Sequence, residues 1–175
     1  MSGSHLLVLG VGDVLQRDEG LGVEAVRLLL ELRAPGSRVR VVDGGTLGLG
    51  LIGLVTEARD VIVVGALHVG ARPATLVCLD GAAALRSLSG APCSEVDRGL
   101  VDLFSAAERL GRMPRRLVAV GLVPVRAEAG ATCSPAVLRS LPLLVDAVVH
   151  EARALGYRLP RRGRPGDRAH PRRAA

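Results

Sequence analysis

Two adjacent acidic residues, Asp18 and Glu19, lie in a glycine-rich stretch that runs from residue 10 to residue 22. This stretch follows the apolar run from Leu6 to Gly10, which predicts a buried strand that ends at a tight turn. In an open parallel sheet, binding and catalytic sites are built at the carboxyl ends of the strands. The two carboxylates could therefore bind a cation, act as a general acid or base, or only favour the positive end of a following helix.

Other kinds of site fit this stretch poorly. A dinucleotide fingerprint needs a third glycine where Leu15 stands, and an acidic loop would repel a pyrophosphate. A P-loop is excluded because the Gly-Lys-Ser/Thr ending is absent and the chain contains no lysine. No Gly-x-Ser-x-Gly segment marks a serine nucleophile. The acidic pair is therefore the main candidate for chemistry in this sequence.

The elements that would position these residues alternate between strands and helices. Short apolar runs predict four strands, at residues 6–10, 39–42, 61–64 and 117–123. Helical patterns are predicted at residues 22–32, 47–58, 95–110 and 135–155. This alternation favours a parallel sheet with crossover helices. A fifth strand at residues 75–79 follows too closely for a crossover, so we expect it to pair antiparallel at an edge.

Two of the predicted helices begin with capping signals. Ser94 and Asp97 predict an N-terminal box for the helix that follows them. Ser134-Pro135 predicts an N-cap with proline at the first helical position. Pro142 lies inside the last helix and should kink it or split it in two.

The length of 175 residues suits one compact domain better than two. From residue 159 onward, arginine, proline and glycine dominate, and apolar residues are almost absent. We therefore expect one domain over residues 1–158 and a disordered tail over residues 159–175. The net charge of +6 gives little support for a nucleic-acid partner, because the last 15 residues contain six arginines and one aspartate.

The location of the protein is predicted from its cysteines and its hydropathy. Cys78, Cys93 and Cys133 form no C-x-x-C pair and leave one cysteine over in any disulfide scheme. No export signal precedes the first apolar run, and no apolar run approaches the roughly 18–20 residues that a membrane span needs. We therefore expect a soluble, cytoplasmic protein.

Several short motifs follow one another along the chain. The first is Gly10-Val-Gly followed by Asp18-Glu19-Gly20, and the second is Asp43-Gly44-Gly45-Thr46 after the second strand. The later matches are Gly99-Leu100 with Asp102, Pro114-Arg115-Arg116 before Gly121, and Ser134-Pro135 before Val137. In type and order these motifs resemble those of the hydrogenase maturation endopeptidases, and the resemblance extends from about Leu6 to Ala154.

The resemblance implies a three-layer α/β/α sandwich with a five-stranded, mostly parallel, twisted sheet. It also implies an endopeptidase that removes the C-terminal extension of a nickel-loaded hydrogenase large-subunit precursor. That precursor would be the partner and would carry the nickel, with no nucleic acid and no membrane involved. Glu19 would contact the metal and serve in catalysis. Asp43, at the end of the second strand, would line the same cleft or would only shape the Asp-Gly-Gly turn.

The resemblance further implies three residues that engage the metal, and Glu19 matches one of them. The other two positions, an aspartate and a histidine, fall on Gly65 and Val96, which offer no ligand atom. One carboxylate holds a divalent ion weakly, since each additional donor strengthens a nickel site. We therefore expect weak or absent intrinsic metal binding. The same departure favours an alternative function, a non-catalytic homologue that acts as a binding or assembly factor for a hydrogenase subunit.

A replacement donor is available in His68, in the loop that follows the third strand. On this hypothesis His68 is a metal ligand together with Glu19, and Glu95 or Asp97 near the start of the middle helix assists. The alternative is that His68 is a solvated loop residue and that Val96 only packs in the core.

Overall fold

The computed structural model describes residues 5–88 and 94–162 of the chain. Within these residues, one sheet contains five strands, which are β1 (Leu6–Val11), β2 (Val39–Gly45), β3 (Asp60–Ala66), β4 (Leu76–Asp80) and β5 (Arg116–Leu122). Their order across the sheet is β2-β1-β3-β5-β4. Strands β2, β1, β3 and β5 are parallel, and β4 pairs antiparallel with β5 at the edge. The predicted strands, including the antiparallel edge strand, are confirmed.

Helices cover both faces of this sheet. The α-helices of the described residues are α1 (Leu21–Leu32), α2 (Ile52–Glu57), α3 (Gly81–Leu88), α4 (Glu95–Arg109) and α5 (Pro135–Ala154). Helices α1 and α5 pack on one face, and α2 and α4 pack on the other, which confirms the α/β/α fold class. Short 3₁₀ turns at Arg17–Gly20 and Gly48–Leu51 precede α1 and α2. No helix in the described part of the chain has the length and apolar character that a membrane crossing requires.

The sequence of β1 reflects its position between the two helical layers. All six of its residues are buried. Leu6 and Val8 contact the side of α1 and α5, whereas Leu7 and Leu9 contact the side of α2 and α4. A continuous apolar run is expected of a parallel strand that is covered on both faces. The hydrophobic core therefore lies on both faces of the sheet. Because β1, β2, β3 and β5 are parallel, their carboxyl ends lie together at one edge of the sheet.

Gly10 allows α1 to lie directly against β1. A Cβ atom at this position would lie 2.5 Å from the carbonyl oxygen of Gly22 and 2.5 Å from Cγ2 of Val26, closer than real contacts allow. Any larger residue would push the start of α1 away from the strand. The glycines of this stretch thus serve close packing, which brings the 3₁₀ turn with Asp18 and Glu19 to the edge of the sheet.

Helix α4 begins as predicted, whereas α5 begins differently. Oγ of Ser94 accepts a hydrogen bond from the N–H of Asp97, and the Asp97 carboxylate accepts one from the N–H of Ser94. Ser134 occupies the N-cap position of α5 but makes no side-chain capping bond, because its hydroxyl donates to Asp18 instead. Helix α5 continues through Pro142, so the expectation that this proline could split it is wrong.

Residues 159–162, which the sequence assigned to a disordered tail, pack against the end of α1. Leu159 is buried, and Nε of Arg162 donates to the carbonyl oxygen of Leu30 at 2.6 Å. The last carbonyl groups of a helix lack partners within the helix, so this arginine satisfies one of them. The expected tail boundary is therefore wrong for these four residues. The rest of the expected tail, residues 163–175, lies outside the described residues, as does Cys93.

Candidate functional site

A cavity of about 300 Å³ opens at the carboxyl edge of the sheet. Its wall is formed by the loops that follow β1, β2 and β3, by the start of α4, and by the connection from β5 to α5. The residues that line it include Asp13, Glu19, Thr46, His68, Val96 and Ala127. Because sites in open parallel sheets lie at this edge, the cavity is the candidate functional site.

Glu19 and His68 meet at the wall of the cavity. Glu19 lies in the 3₁₀ turn before α1 and is 5% exposed, and His68 lies just beyond the end of β3. Nε2 of His68 lies 2.7 Å from Oε1 of Glu19. Strands β1 and β3 are neighbours, so the loops that follow them start side by side. The interpretation of His68 as a solvated loop residue is wrong, because its side chain is only 18% exposed.

Asp97 faces the second ring nitrogen of His68. Its Oδ2 lies 3.3 Å from Nδ1, in a geometry that makes the contact an ion pair rather than a hydrogen bond. The same oxygen accepts the hydrogen bond from the N–H of Ser94, at 3.0 Å, that caps α4. The capping box therefore fixes the carboxylate of Asp97. His68 is held between two carboxylates that come from different parts of the fold.

The two carboxylates determine the charge of His68. They raise its pKa to about 10, with Asp97 as the larger cause and Glu19 as the second, while burial acts in the opposite direction. The imidazole is therefore protonated near neutral pH. In that form it has no lone pair for a metal, so a metal ion can bind only by displacing a proton.

The cluster offers donor types that suit nickel, since it combines carboxylate oxygens with an imidazole. Its arrangement is nevertheless that of an ion-paired group, because both nitrogens of His68 face carboxylates. Among residues 5–88 and 94–162, no group of three or more His, Cys, Asp or Glu side chains has the geometry of a metal site. Nickel binding here therefore requires a rearrangement in which the contact between His68 and Glu19 opens.

Asp43 does not reach the cavity. Side chains alternate along β2, so that of Asp43 points to the same face of the sheet as those of Val39 and Val41. This face is covered by α1 and α5. Its Oδ2 pairs with Nη2 of Arg27 on α1 at 3.2 Å. The structure therefore does not bring Asp43 to Glu19, although the Asp-Gly-Gly-Thr motif contributes Thr46 to the cavity wall.

Gly65 and Val96 lie near this cluster and provide no donor. A Cβ atom on Gly65 would lie 3.0 Å from Cγ2 of Val11, so a side chain of β1 already fills the space beside it. Val96 lines the cavity and also packs against the core on the side of α4. The nitrogen atom that faces Glu19 comes from His68 instead, and Asp97 faces the other nitrogen of the same ring.

Asp18, which the sequence paired with Glu19 as a candidate acid, has a structural role. It is fully buried, and its carboxylate accepts bonds from the N–H groups of Val125 and Arg126 and from both the N–H and the hydroxyl of Ser134. Burial alone would raise its pKa, but these hydrogen bonds outweigh burial and lower it. Asp18 therefore joins the loop after β1 to the loop after β5. The sequence offered no signal for this pairing, because Ser134 fits an ordinary N-cap.

The two cysteines in the described residues are poor nucleophiles. Burial of the thiol raises the pKa of Cys133 to about 11, with the nearby Asp18 as the second cause. The pKa of Cys78 is also raised to about 11, by desolvation of the thiol and by Glu151. Both thiols are protonated at neutral pH, and neither residue lines the cavity. A cysteine mechanism at these two residues is therefore disfavoured.

Known proteins are similar to this chain in both sequence and fold. The family model HycI, hydrogenase maturation protease, matches residues 23–151. Hydrogenase expression/formation protein HupD of Rhodobacter capsulatus is 35% identical over 153 residues, which cover 87% of this chain and 73% of that protein. Hydrogenase 2 maturation protease of Escherichia coli K12 is 30% identical over 154 residues, which cover 87% of this chain and 93% of that protein. The solved structure of the hydrogenase maturating endopeptidase HybD from E. coli superposes with a TM-score of 0.85 at 28% identity, covering 90% and 98% of the two chains.

Proposed function

The chain belongs to the hydrogenase maturation protease family, and from this premise we propose that it removes a C-terminal extension from the large-subunit precursor of a nickel-containing hydrogenase. As a member of this family it is a peptidase. The observation that carries the proposal is the contact of Glu19 with His68 inside the cavity. It puts an oxygen and a nitrogen donor within reach of a metal that enters with the substrate.

In this proposal nickel belongs to the substrate. Nε2 of His68 and the carboxylate of Glu19 would hold the metal, and the proton that Nε2 must lose for this contact would pass to solvent. Asp97 then faces the N–H that remains on Nδ1, which is the usual arrangement for a metal-bound histidine. A carboxylate on the far nitrogen keeps the ring in one orientation and makes the near nitrogen a better donor.

We take water as the direct nucleophile, because the thiols of Cys78 and Cys133 are protonated and neither residue lines the cavity. Water adds to the scissile carbonyl carbon, the C–N bond breaks, and a proton passes to the leaving amine. Of the three described acidic residues that line the cavity, Asp13, Glu19 and Glu95, we assign to Glu19 the role of orienting that water or accepting its proton, because it lies beside His68. Holding the nickel end of the substrate beside Glu19 makes the reaction effectively unimolecular, and this positioning supplies much of the rate.

The alternative function as a non-catalytic assembly factor is not favoured. It depended on the missing donors at Gly65 and Val96. His68 supplies a nitrogen beside Glu19, so the cavity keeps polar groups that can act on a substrate.

We also propose that the protein acts in the cytoplasm. Cys78 and Cys133 are both free thiols, which suits a reducing compartment. Detection of the native protein in a cytoplasmic fraction, and its absence from a periplasmic fraction, would test this location.

The function is tested by incubating the purified chain with nickel-loaded and nickel-free precursor and following cleavage by mass spectrometry. We expect cleavage of the nickel-loaded form only. Glu19→Gln and His68→Gln should each slow cleavage by about 100-fold, the scale of losing one group that acts on the transition state. Asp146→Asn is the control, because this carboxylate is exposed and pairs with Arg33 on the surface. Parental rates in the Glu19→Gln variant would reject the assignment.

A further inference from the structure

Large apolar side chains are exposed on three of the loops that border the cavity. Their exposed fractions are 67% for Leu15, 65% for Leu47, 52% for Leu49 and 43% for Val125. We call these four residues the apolar rim. Single exposed apolar residues are ordinary on a protein surface, whereas these four share a position, on loops that border the candidate site.

In the sequence, the members of the apolar rim lie next to or close to residues that line the cavity. Leu15 lies between Asp13 and Gln16, which both line the cavity. Leu47 directly follows Thr46, another lining residue. Val125 precedes the lining residue Ala127 by two positions. Within residues 5–88 and 94–162, the other large exposed apolar residues lie in or at the ends of helices α1, α4 and α5, and they are Leu32, Leu110, Leu138 and Leu143.

The backbone of the apolar rim is held by hydrogen bonds. The N–H of Leu15 donates to Oδ1 of Asp13 at 2.9 Å, and its carbonyl oxygen accepts from the N–H of Gly130 at 2.8 Å. The N–H of Val125 donates to the buried carboxylate of Asp18 at 2.9 Å. The apolar side chains are therefore presented by anchored loops, and a surface that is already fixed loses less entropy when a partner binds.

We propose that the apolar rim is the docking surface for the folded precursor, which covers it with an apolar patch while the scissile segment enters the cavity. This inference rests on the proposed function. The rim adjoins the cavity of a peptidase, so a protein substrate whose scissile segment enters the cavity must pass over it. The cavity volume of about 300 Å³ lies at the low end for ligand pockets and holds only a short stretch of chain. Selection of one protein among many therefore needs contacts outside the cavity.

The test compares two double variants with matched exposure. Leu15→Ser with Leu47→Ser alters the apolar rim, and Leu110→Ser with Leu143→Ser removes two similarly exposed leucines elsewhere, at 62% and 56% exposure. The rim variant should raise KM for the nickel-loaded precursor by about tenfold or more and leave kcat within about twofold, because docking contacts act equally on ground state and transition state. Its melting temperature should match that of the parent, since the altered side chains are solvent-exposed. The control variant should keep the parental KM.

Direct binding separates this inference from the proposed function. Isothermal titration of precursor into the Glu19→Gln variant measures docking without cleavage. Loss of affinity in a rim variant built on Glu19→Gln supports the docking surface even if the parent never cleaves this precursor. Unchanged affinity and unchanged KM in the rim variant overturn the inference. A parental dimer that the rim variant breaks into monomers, seen by light scattering, also overturns it, because the occupant would then be a second copy of the chain.

Discussion

Nε2 of His68 lies 2.7 Å from Oε1 of Glu19, across a sequence separation of 49 positions. The contact joins the loop after β1 to the loop after β3, and Asp97 from α4 completes it on the other side of the ring. Three elements of the fold thus converge on one imidazole. Metal binding at this site should therefore depend on the positive charge that the two carboxylates stabilise on His68.

Isolated protein should bind Ni²⁺ weakly at neutral pH. The pKa of His68 is raised to about 10 by Asp97 and Glu19, so a metal ion must displace a proton that both carboxylates stabilise. Binding should strengthen as the pH rises, because the proton then competes less. Isothermal titration calorimetry at two pH values measures this, with the exposed His150→Ala as control. Submicromolar affinity at pH 7 that disappears in His68→Ala would contradict the prediction.

Replacement of the buried Asp18 should destabilise the fold at neutral pH. In Asp18→Asn one carboxylate oxygen becomes an NH₂ group that cannot accept a hydrogen bond, so either the N–H of Ser134 or the N–H groups of Val125 and Arg126 lose their acceptor. We therefore expect a loss of roughly 2–4 kcal/mol in the free energy of unfolding. The Asp146→Asn variant, which alters an exposed ion pair, should lose less than about 1 kcal/mol. Urea unfolding of both variants and the parent measures the difference.

The contribution of Asp18 should also depend on pH in one direction. Its pKa is lowered in the folded state, so the unfolded chain binds its proton first as the pH falls. The stability that it contributes is present above the unfolded pKa of about 3.9 and is lost as the pH falls toward the lowered folded value. The gap between parent and Asp18→Asn should therefore narrow below about pH 4. A gap that stays constant from pH 7 to pH 3 would show that charge is not the cause.

The sheet could be predicted because its signals are local. Each strand is a short apolar run, and the close spacing before β4 fixes its antiparallel pairing. Helix α3 (Gly81–Leu88) was missed, since it is only eight residues long and has only two large apolar residues, too few to show a helical period. The partnership of Asp18 with Ser134 was missed for another reason, since it spans 116 positions and each residue has an ordinary local interpretation.

The site was predicted in part. Glu19 was selected from a motif and His68 from its place after β3, and the structure brings both to the cavity wall, while their roles in catalysis and metal contact stay predictions. The assignment of Asp43 to the cleft failed because side chains alternate along a strand. Its position places it with Val39 and Val41 on the side of α1, where Arg27 pairs with it. A motif alone does not say to which face of the sheet such a side chain points.

Two truncations should give different stabilities. Removal of residues 159–175 takes away the buried Leu159 and the hydrogen bonds of Arg162 to the end of α1, so the melting temperature should fall by about 5 °C or more. Removal of residues 163–175 alone should leave it unchanged, because that sequence contains almost no apolar residue to bury. Thermal unfolding followed by circular dichroism measures both. Equal melting temperatures for the two truncations would show that the contacts of residues 159–162 contribute nothing.

Asp97 caps α4 and faces His68, and two substitutions can separate these roles. Asp97→Asn keeps an oxygen that can accept from the N–H of Ser94 but removes the charge beside His68. Ser94→Ala removes the hydroxyl that accepts from the N–H of Asp97 but keeps the carboxylate, and the loss of a capping hydroxyl costs about 1 kcal/mol.

If the carboxylate positions the imidazole for the substrate's nickel, Asp97→Asn should cleave the nickel-loaded precursor about tenfold more slowly than Ser94→Ala, although its melting temperature is no lower. Asp97→Glu should recover part of the rate, because it restores the charge on a longer side chain. A residue that only stabilises the helix changes activity by changing the fraction of protein that is folded. Cleavage rates that fall in step with the melting temperatures of all three variants would therefore show that Asp97 only caps α4.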